Sequence, residues 1–253
     1  MSRILIIAKR ELTSLFYSPI AYFVMFLFLL VMGFLFGVFV FNPGQPSEVR
    51  TLVDYSRFGL FFIIPLMTMS LFSDEYRSGR IEMLRTIPIT ELQLVLGKFF
   101  GASFFFLILV AITLMYVGLL VIFGRPDWGM TAAAYLGLIL LGFMFVSVGL
   151  FFSACTQNQI VAALATFLVL GFFTFISWIS SMLPTVIPLS KWPASLHLPD
   201  VPLRNPFYYL GVGPHIADFA KGVVDTSHLA YFISFTLLFL FGTYLLLESR
   251  KWR

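Results

Sequence analysis

Residues 128–190 read WGMTAAAYLGLILLGFMFVSVGLFFSACTQNQIVAALATFLVLGFFTFISWISSMLPTVIPLS, and these 63 positions hold no Asp, Glu, Lys or Arg. A hydrocarbon layer of about 30 Å takes roughly 20 helical residues to cross, so the run is too long for one buried core helix and suits two membrane crossings. The polar break Ser153-Ala-Cys-Thr-Gln-Asn-Gln159 divides it. Composition agrees: 60% of the chain is hydrophobic and 11% charged, against roughly 25% charged in a soluble domain.

Working outward from that run, charge gaps give six spans. They are Pro19 to Phe41, Phe58 to Ser73, Phe99 to Gly124, about Thr131 to Phe152, about Ile160 to Leu183, and Leu229 to Leu247. The second is short for a crossing and is predicted to extend outward through Asp54 and Arg57, with a kink at Pro65. Ten of the sixteen Lys and Arg residues fall on the side of the two termini and of the loop after span two, which predicts cytoplasmic termini. The net charge of +4 is therefore read as membrane orientation, and no nucleic-acid partner is expected. A single cysteine, Cys155, precludes an intramolecular disulfide. The first apolar segment is too long for a signal-peptide core, so no cleavable signal is expected.

Three segments lie outside the spans. Residues 2–18 put Ile4, Ala8, Leu12 and Leu15 on one face, the pattern of a helix lying in the membrane interface. Residues 74–98 carry four acids and four bases, a mixed-sign surface suited to a soluble partner. Residues 184–227 contain seven of the 13 prolines. That density argues against a seventh span and for an outer cap whose face of Ile216, Phe219, Ala220 and Val223 dips into the outer leaflet.

The spans as drawn contain no ionisable residue, which argues against a membrane enzyme or an ion-coupled carrier. Gly97-Lys98 has Leu92 where a phosphate-binding loop needs its first glycine, so the chain is not expected to hydrolyse ATP by itself. His197, His215 and His228 lack metal-ligand spacing, and no metal or cofactor is expected in this chain. Gly33-x-x-x-Gly37 and Gly97-x-x-x-Gly101 permit close helix approach, within a subunit or between subunits. Gly33, Gly37, Ala162, Ala163 and Thr166 are the candidates for a subunit interface.

One block of sequence is recognisable. Pro65-Leu-Met-Thr-Met69, Phe72-Ser-Asp-Glu75, Arg77-Ser-Gly79, Ile81-Glu-Met-Leu84, Thr86-Ile-Pro88 and Leu96-Gly-Lys-Phe99 resemble the permease subunits of ABC-2 type transporters, in particular the gliding-motility-associated branch. Ser18-Pro-Ile-Ala-Tyr22, Asn158-Gln-Ile-Val161 and the tail from His215 to Arg253 fit the same resemblance. Ser70 and Arg80 depart from it, standing where Arg and Thr are expected.

The resemblance implies an all-α polytopic membrane protein, a single transmembrane domain over residues 1–253. It would have six transmembrane helices, an N-terminal interfacial helix and a cytoplasmic coupling helix between helices 2 and 3, beside the Pro-rich outer cap read above between helices 5 and 6. The coupling helix, about Ile81 to Thr86 within segment 74–90, would dock on a separate ABC ATPase subunit that holds ATP and Mg. Asp74, Glu75, Arg77, Gly79, Ile81, Glu82, Met83, Leu84 and Pro88 are its expected coupling residues. The resemblance further implies a bacterial inner-membrane location and a second permease subunit, as a homodimer or a related chain. An accessory protein with an extracytoplasmic domain belongs to the same picture. The expected function is export or force transmission driven by that ATPase, and the alternative is a membrane scaffold or assembly protein that translocates nothing.

Overall fold

The computed structural model describes residues 3–40, 49–80, 89–123, 127–182 and 204–249, and among them the chain is helical with no strand. Among the described residues six helices are long and apolar enough to cross a membrane, at Pro19–Val38, Ser56–Arg77, Glu91–Ile122, Trp128–Cys155, Gln159–Ser180 and Thr226–Ser249. The protein is an all-α polytopic membrane protein. Six crossings return the chain to its starting side.

Helix α1 (Arg3–Tyr17) ends at Ser18, whose side-chain oxygen accepts from the Ile20 backbone N–H at 3.3 Å and opens α2 (Pro19–Leu35). Pro19 at the first helical position costs nothing there, because its missing N–H has no intrahelical partner anyway. A π-helical turn, Phe36–Val40, continues α2. The second crossing is built from α3 (Val49–Thr68) and α4 (Ser70–Arg77), joined at Met69. The expected outward extension past Arg57 and Asp54 is present, since α3 starts at Val49. Helix α5 (Glu91–Phe123) has 33 residues, about 50 Å at 1.5 Å each, so it outruns the hydrocarbon layer.

Helices α6 (Trp128–Cys155) and α7 (Gln159–Met182) account for the long uncharged run. Each start has its cap: the Asp127 carboxylate accepts from the Gly129 and Met130 N–H groups, and the Asn158 side chain accepts from that of Ile160. The short helices α8 (Arg204–Leu210) and α9 (Val212–Ala220) lead into α10 (Thr226–Ser249), which Asp225 caps through the Ser227 N–H.

Burial ranks the crossings. Over an 18-residue stretch of each, two thirds of the residues are buried in the crossings Ser56–Arg77 and Trp128–Cys155 (67% each), against 28% in Pro19–Val38 and 17% in Thr226–Ser249. Helix α6 is central, touching α3, α4, α5, α7, α9 and α10. It can approach so many neighbours because its contact points lack side chains. A Cβ on Gly142 would stand 2.0 Å from the Phe106 ring of α5, and one on Gly149 would stand 2.0 Å from Thr68 Oγ1 of α3. Such small-residue contacts replace the hydrophobic drive that lipid does not supply.

The region between the fifth and sixth crossings departs from expectation. Residues 184–203 lie outside the described set, while α8 and α9 form the rest of the proposed cap. Ile216, Phe219 and Ala220 are fully buried and Val223 is exposed. Phe219 lies on α6, where a Cβ added to Gly137 would meet its ring at 2.7 Å. The face read as lipid-seeking therefore packs on protein, because the glycine of α6 offers a closer-fitting partner than acyl chains.

Substituting Gly142→Ala should lower stability by about 1–3 kcal/mol through overpacking, since the Phe106 ring is fully enclosed. Adding Phe106→Leu in the same chain should recover part of the loss. Denaturant unfolding of the two variants and wild type in one detergent measures both effects.

Candidate functional site

Helix α1 is fastened to the first half of α5. Cβ atoms at Gly97 and Gly101 would fall 2.6 Å from Ile7 Cβ and 2.7 Å from Glu11 Cβ, so the two helices meet with almost no side chain between them. The face of α1 that is buried consists of Ile7, Ala8, Glu11 and Leu15. This corrects the predicted face: Ala8 and Leu15 belong to it, Ile4 and Leu12 are only half-buried, and a glutamate sits at its centre. A carboxylate is tolerated there only because a cation meets it.

That cation is Lys98, whose side chain is 1% exposed. Its Nζ lies 3.1 Å from Glu11 Oε2 of α1, 3.0 Å from Glu75 Oε1 of α4 and 2.5 Å from the Leu71 carbonyl. Two of the three ammonium donors make hydrogen bonds, to Glu11 and to the Leu71 carbonyl, and Glu75 meets the charge as an ion pair. The Phe72 ring stands 5.0 Å from Nζ and adds a cation–π contact. Arg10, half-exposed, donates to the same Glu75 Oε1 at 3.1 Å. Glu75 Oε2 is buried with no partner among the described residues. Two cations and two carboxylates thus form a neutral node joining α1, α4 and α5.

The junction between α3 and α4 is fixed from the other side. Pro65 has no N–H, and the helix restarts at Ser70 after Met69. Ser153 of α6 satisfies the restart: its hydroxyl accepts from the Phe72 and Ser73 N–H groups at 2.9 and 3.2 Å and donates to the Met69 carbonyl at 3.0 Å. These are the orphan donors of a helix start, met here by a neighbouring helix. Gln159, at the start of α7, donates to Asp74 Oδ1. Helix α4 is therefore gripped by α1, α5, α6 and α7. It ends at Ser78 and Gly79, and Gly79 adopts φ +69°, a turn that only glycine makes without strain.

Of the expected coupling residues, Asp74 and Glu75 are tied into the protein, whereas Arg77 and Gly79 are exposed. Ile81, Glu82, Met83, Leu84 and Pro88 lie outside the described residues. A cavity of about 450 Å³ opens between α1 and α4, with Arg10 and Glu11 on one wall and Asp74, Glu75 and Arg80 on the other. Among the described residues no group of three or more His, Cys, Asp or Glu side chains is set to hold a metal. Of the interface candidates, Ala162 and Thr166 are fully buried within the subunit and Ala163 is half-buried. Gly33 faces the Tyr116 hydroxyl, while a Cβ on Gly37 would meet nothing within 4 Å.

Lys98, Glu11 and Arg10 were not among the expected site residues, because Lys98 read as the last charge of a loop. A local signal does mark it. Thr90-x-x-Gln93 is a capping box, with the Gln93 N–H donating to Thr90 Oγ1 and the Thr90 N–H to Gln93 Oε1. The box starts α5 at Glu91 and puts Lys98 two turns inside a helix.

The model of one protein family, described as ABC-2 family transporter protein, matches residues 7–176. The match spans α1 to most of α7 and includes every member of the node. No curated protein matches the chain.

Replacing Lys98 by Met should cost about 3–5 kcal/mol, since it strands buried carboxylates. The neutral combination Lys98→Met, Glu11→Gln and Glu75→Gln should regain much of that. Thermal unfolding in detergent compares them, and a Lys98→Met protein as stable as wild type would remove the node from the argument.

Proposed function

The chain belongs to the ABC-2 family of transporter proteins, a multi-pass permease component, and from that premise we propose that a separate ATP-binding subunit drives it through residues 74–90. One observation carries the reading: the Lys98 node locks the start of that segment to α1 and α5. A push on residues beyond Gly79 is then delivered to three helices at once instead of being absorbed by a loose loop. Force applied there supports export, or transmission of mechanical work to partners across the membrane. ATP and Mg would reside in the driving subunit, whose hydrolysis this chain has no phosphate-binding loop to perform.

In this reading the termini and residues 74–90 face the cytoplasm of a bacterial inner membrane, as the distribution of Lys and Arg supports. ATP-binding subunits act as two-fold pairs, so two permeases assemble, most simply as a homodimer. Gly37 and Ala163 are the predicted interface residues with room for a neighbour. Membership of the gliding-motility branch, with an accessory protein on the outer side, rests on the strings at 65–99 and on the tail from His215 to Arg253.

The structure decides which charges test this. Glu75 holds the node and Asp74 is bonded to Gln159, so reversing either would disturb folding. Arg77→Glu and Glu82→Lys should spare insertion and weaken partner capture about ten- to a hundredfold, the worth of a lost charge-assisted contact. Co-purification with the ATPase and its turnover rate are the readouts. If both are unchanged in the double variant, the coupling role fails and a scaffold remains.

Orientation has its own probe. Cys155 is exposed at the end of α6, on the side of the chain termini. A membrane-impermeant maleimide should label it in inverted vesicles and spare it in right-side-out vesicles; the reverse pattern would invert the topology.

A further inference from the structure

Two histidines that are 13 residues apart meet on the face opposite the chain termini, between α9 and the first turn of α10. His215 is 6% exposed, and its ring stacks on Tyr231 with centroids 4.0 Å apart. The Tyr231 hydroxyl in turn donates to the Leu210 carbonyl at 2.6 Å. His215 Nε2 lies 2.9 Å from the Tyr209 carbonyl, which can only accept, so Nε2 carries a hydrogen. His228 Nε2 lies 3.1 Å from Asp218 Oδ2. A hydrogen bond from Lys221 holds the Asp218 carboxyl below its ordinary range, so it too accepts and His228 Nε2 carries a hydrogen.

Both Nε2 positions are thereby assigned, and the two Nδ1 atoms face each other at 2.7 Å. With both rings neutral, two lone pairs would oppose each other across that gap. With both rings doubly protonated, two N–H groups would collide. Only one added proton, bonded to one Nδ1 and accepted by the other, satisfies the geometry. A metal ion does not fit: two nitrogens each about 2.0–2.1 Å from a tetrahedral zinc stand roughly 3.3 Å apart.

We propose that His215 and His228 form a site for a single proton, an imidazolium–imidazole pair that clasps α9 to α10. The surrounding charges suit one positive charge and resist two. Asp218 and Asp225 lie on the acidic side of the balance, with Lys221 and, near Gly213, Arg57 of α3 on the basic side. Helices α6 and α7, also packed against α9, contain no charged residue. Burial is the main reason that His215 sits below the ordinary histidine range, and the neighbouring His228 charge acts the same way. Entry of a second proton is thus disfavoured.

The consequence is a clasp that is closed in a window of pH. On the alkaline side the folded pair holds a proton that the unfolded chain has released, so its stabilisation is lost as pH rises. On the acid side the unfolded histidines take protons that folded His215 refuses, so stability falls as pH falls. Because Ile216 and Phe219 seat α9 on the central helix, opening the clasp frees the outer end of α10 from that seat. The compartment whose pH is read rests on the orientation proposed above; the proton count does not.

The test uses the full-length chain in lipid nanodiscs, with unfolding followed from about pH 5 to 9. Wild type should show a bell-shaped stability profile. On its alkaline limb the folding equilibrium should fall by up to tenfold per pH unit, the slope for one linked proton. His228→Asn places an amide where Nδ1 stood and can donate without binding a proton, so its alkaline limb should be flat. Nitrogen NMR of the histidine-labelled chain, with His197→Gln to leave two rings, should show both Nε2 positions protonated and one proton across the two Nδ1 positions. Superimposable profiles for wild type and His228→Asn would overturn the proposal. So would two unprotonated Nδ1 atoms at the stability maximum, a result that stands even if the Asn variant does not fold.

Discussion

A lysine ammonium withdrawn from water must be met by acceptors and by opposite charge, and Lys98 finds both on two other helices. Without Lys98, Glu11 would be a carboxylate buried in an apolar helix face and Glu75 would rely on a half-exposed arginine. Without Glu11 and Glu75, Lys98 would be a charge stranded in α5. Neither half is tolerable alone, so α1, α4 and α5 are obliged to stay together. Such a node adds little net stability relative to a well-packed apolar one. What it does provide is a fixed register between helices that share no covalent turn.

The glycines around the node set the distance over which that register holds. Gly97 and Gly101 bring α1 onto α5 closely enough for Glu11 to reach Lys98, and Gly142 and Gly149 bring α5 and α3 onto α6. Ser153 then meets the helix start after Met69, accepting from the Phe72 and Ser73 N–H groups. The second crossing keeps helical backbone angles through Met69, while the N–H groups of Phe72 and Ser73 bond to Ser153 of α6. That exchange of partners ties α4 to the bundle as well as to the node.

The two faces of the protein use polar residues differently. On the side of the termini a neutral set of charges joins helices and leads into the exposed residues Arg77 to Arg80. On the opposite side a pair of histidines and Asp218 join α9 to α10. Between them α6 and α7 run without a charge. Under the coupling proposed above, a stroke entering at one end would be carried by packed helices whose contacts are discrete, because interlocked side chains move between arrangements and do not deform continuously.

The chain's architecture was legible in the sequence because hydrophobicity is summed along neighbouring residues. The uncharged run from Trp128 to Ser190 required two crossings, the remaining charge gaps gave four more, and the extension of span two through Arg57 followed from length alone. The proposed coupling residues Ile81 to Leu84 were named by resemblance alone and lie outside the described residues. Lys98 was read as a loop charge, the α9 face as lipid-seeking, and the histidines only as lacking metal-ligand spacing. Each of these depends on a partner remote in the chain: Glu11 lies 87 residues from Lys98, and the Leu71 carbonyl 27. Whether a charge is solvated or buried is decided by what stands opposite it, and only the tertiary structure puts that group in place.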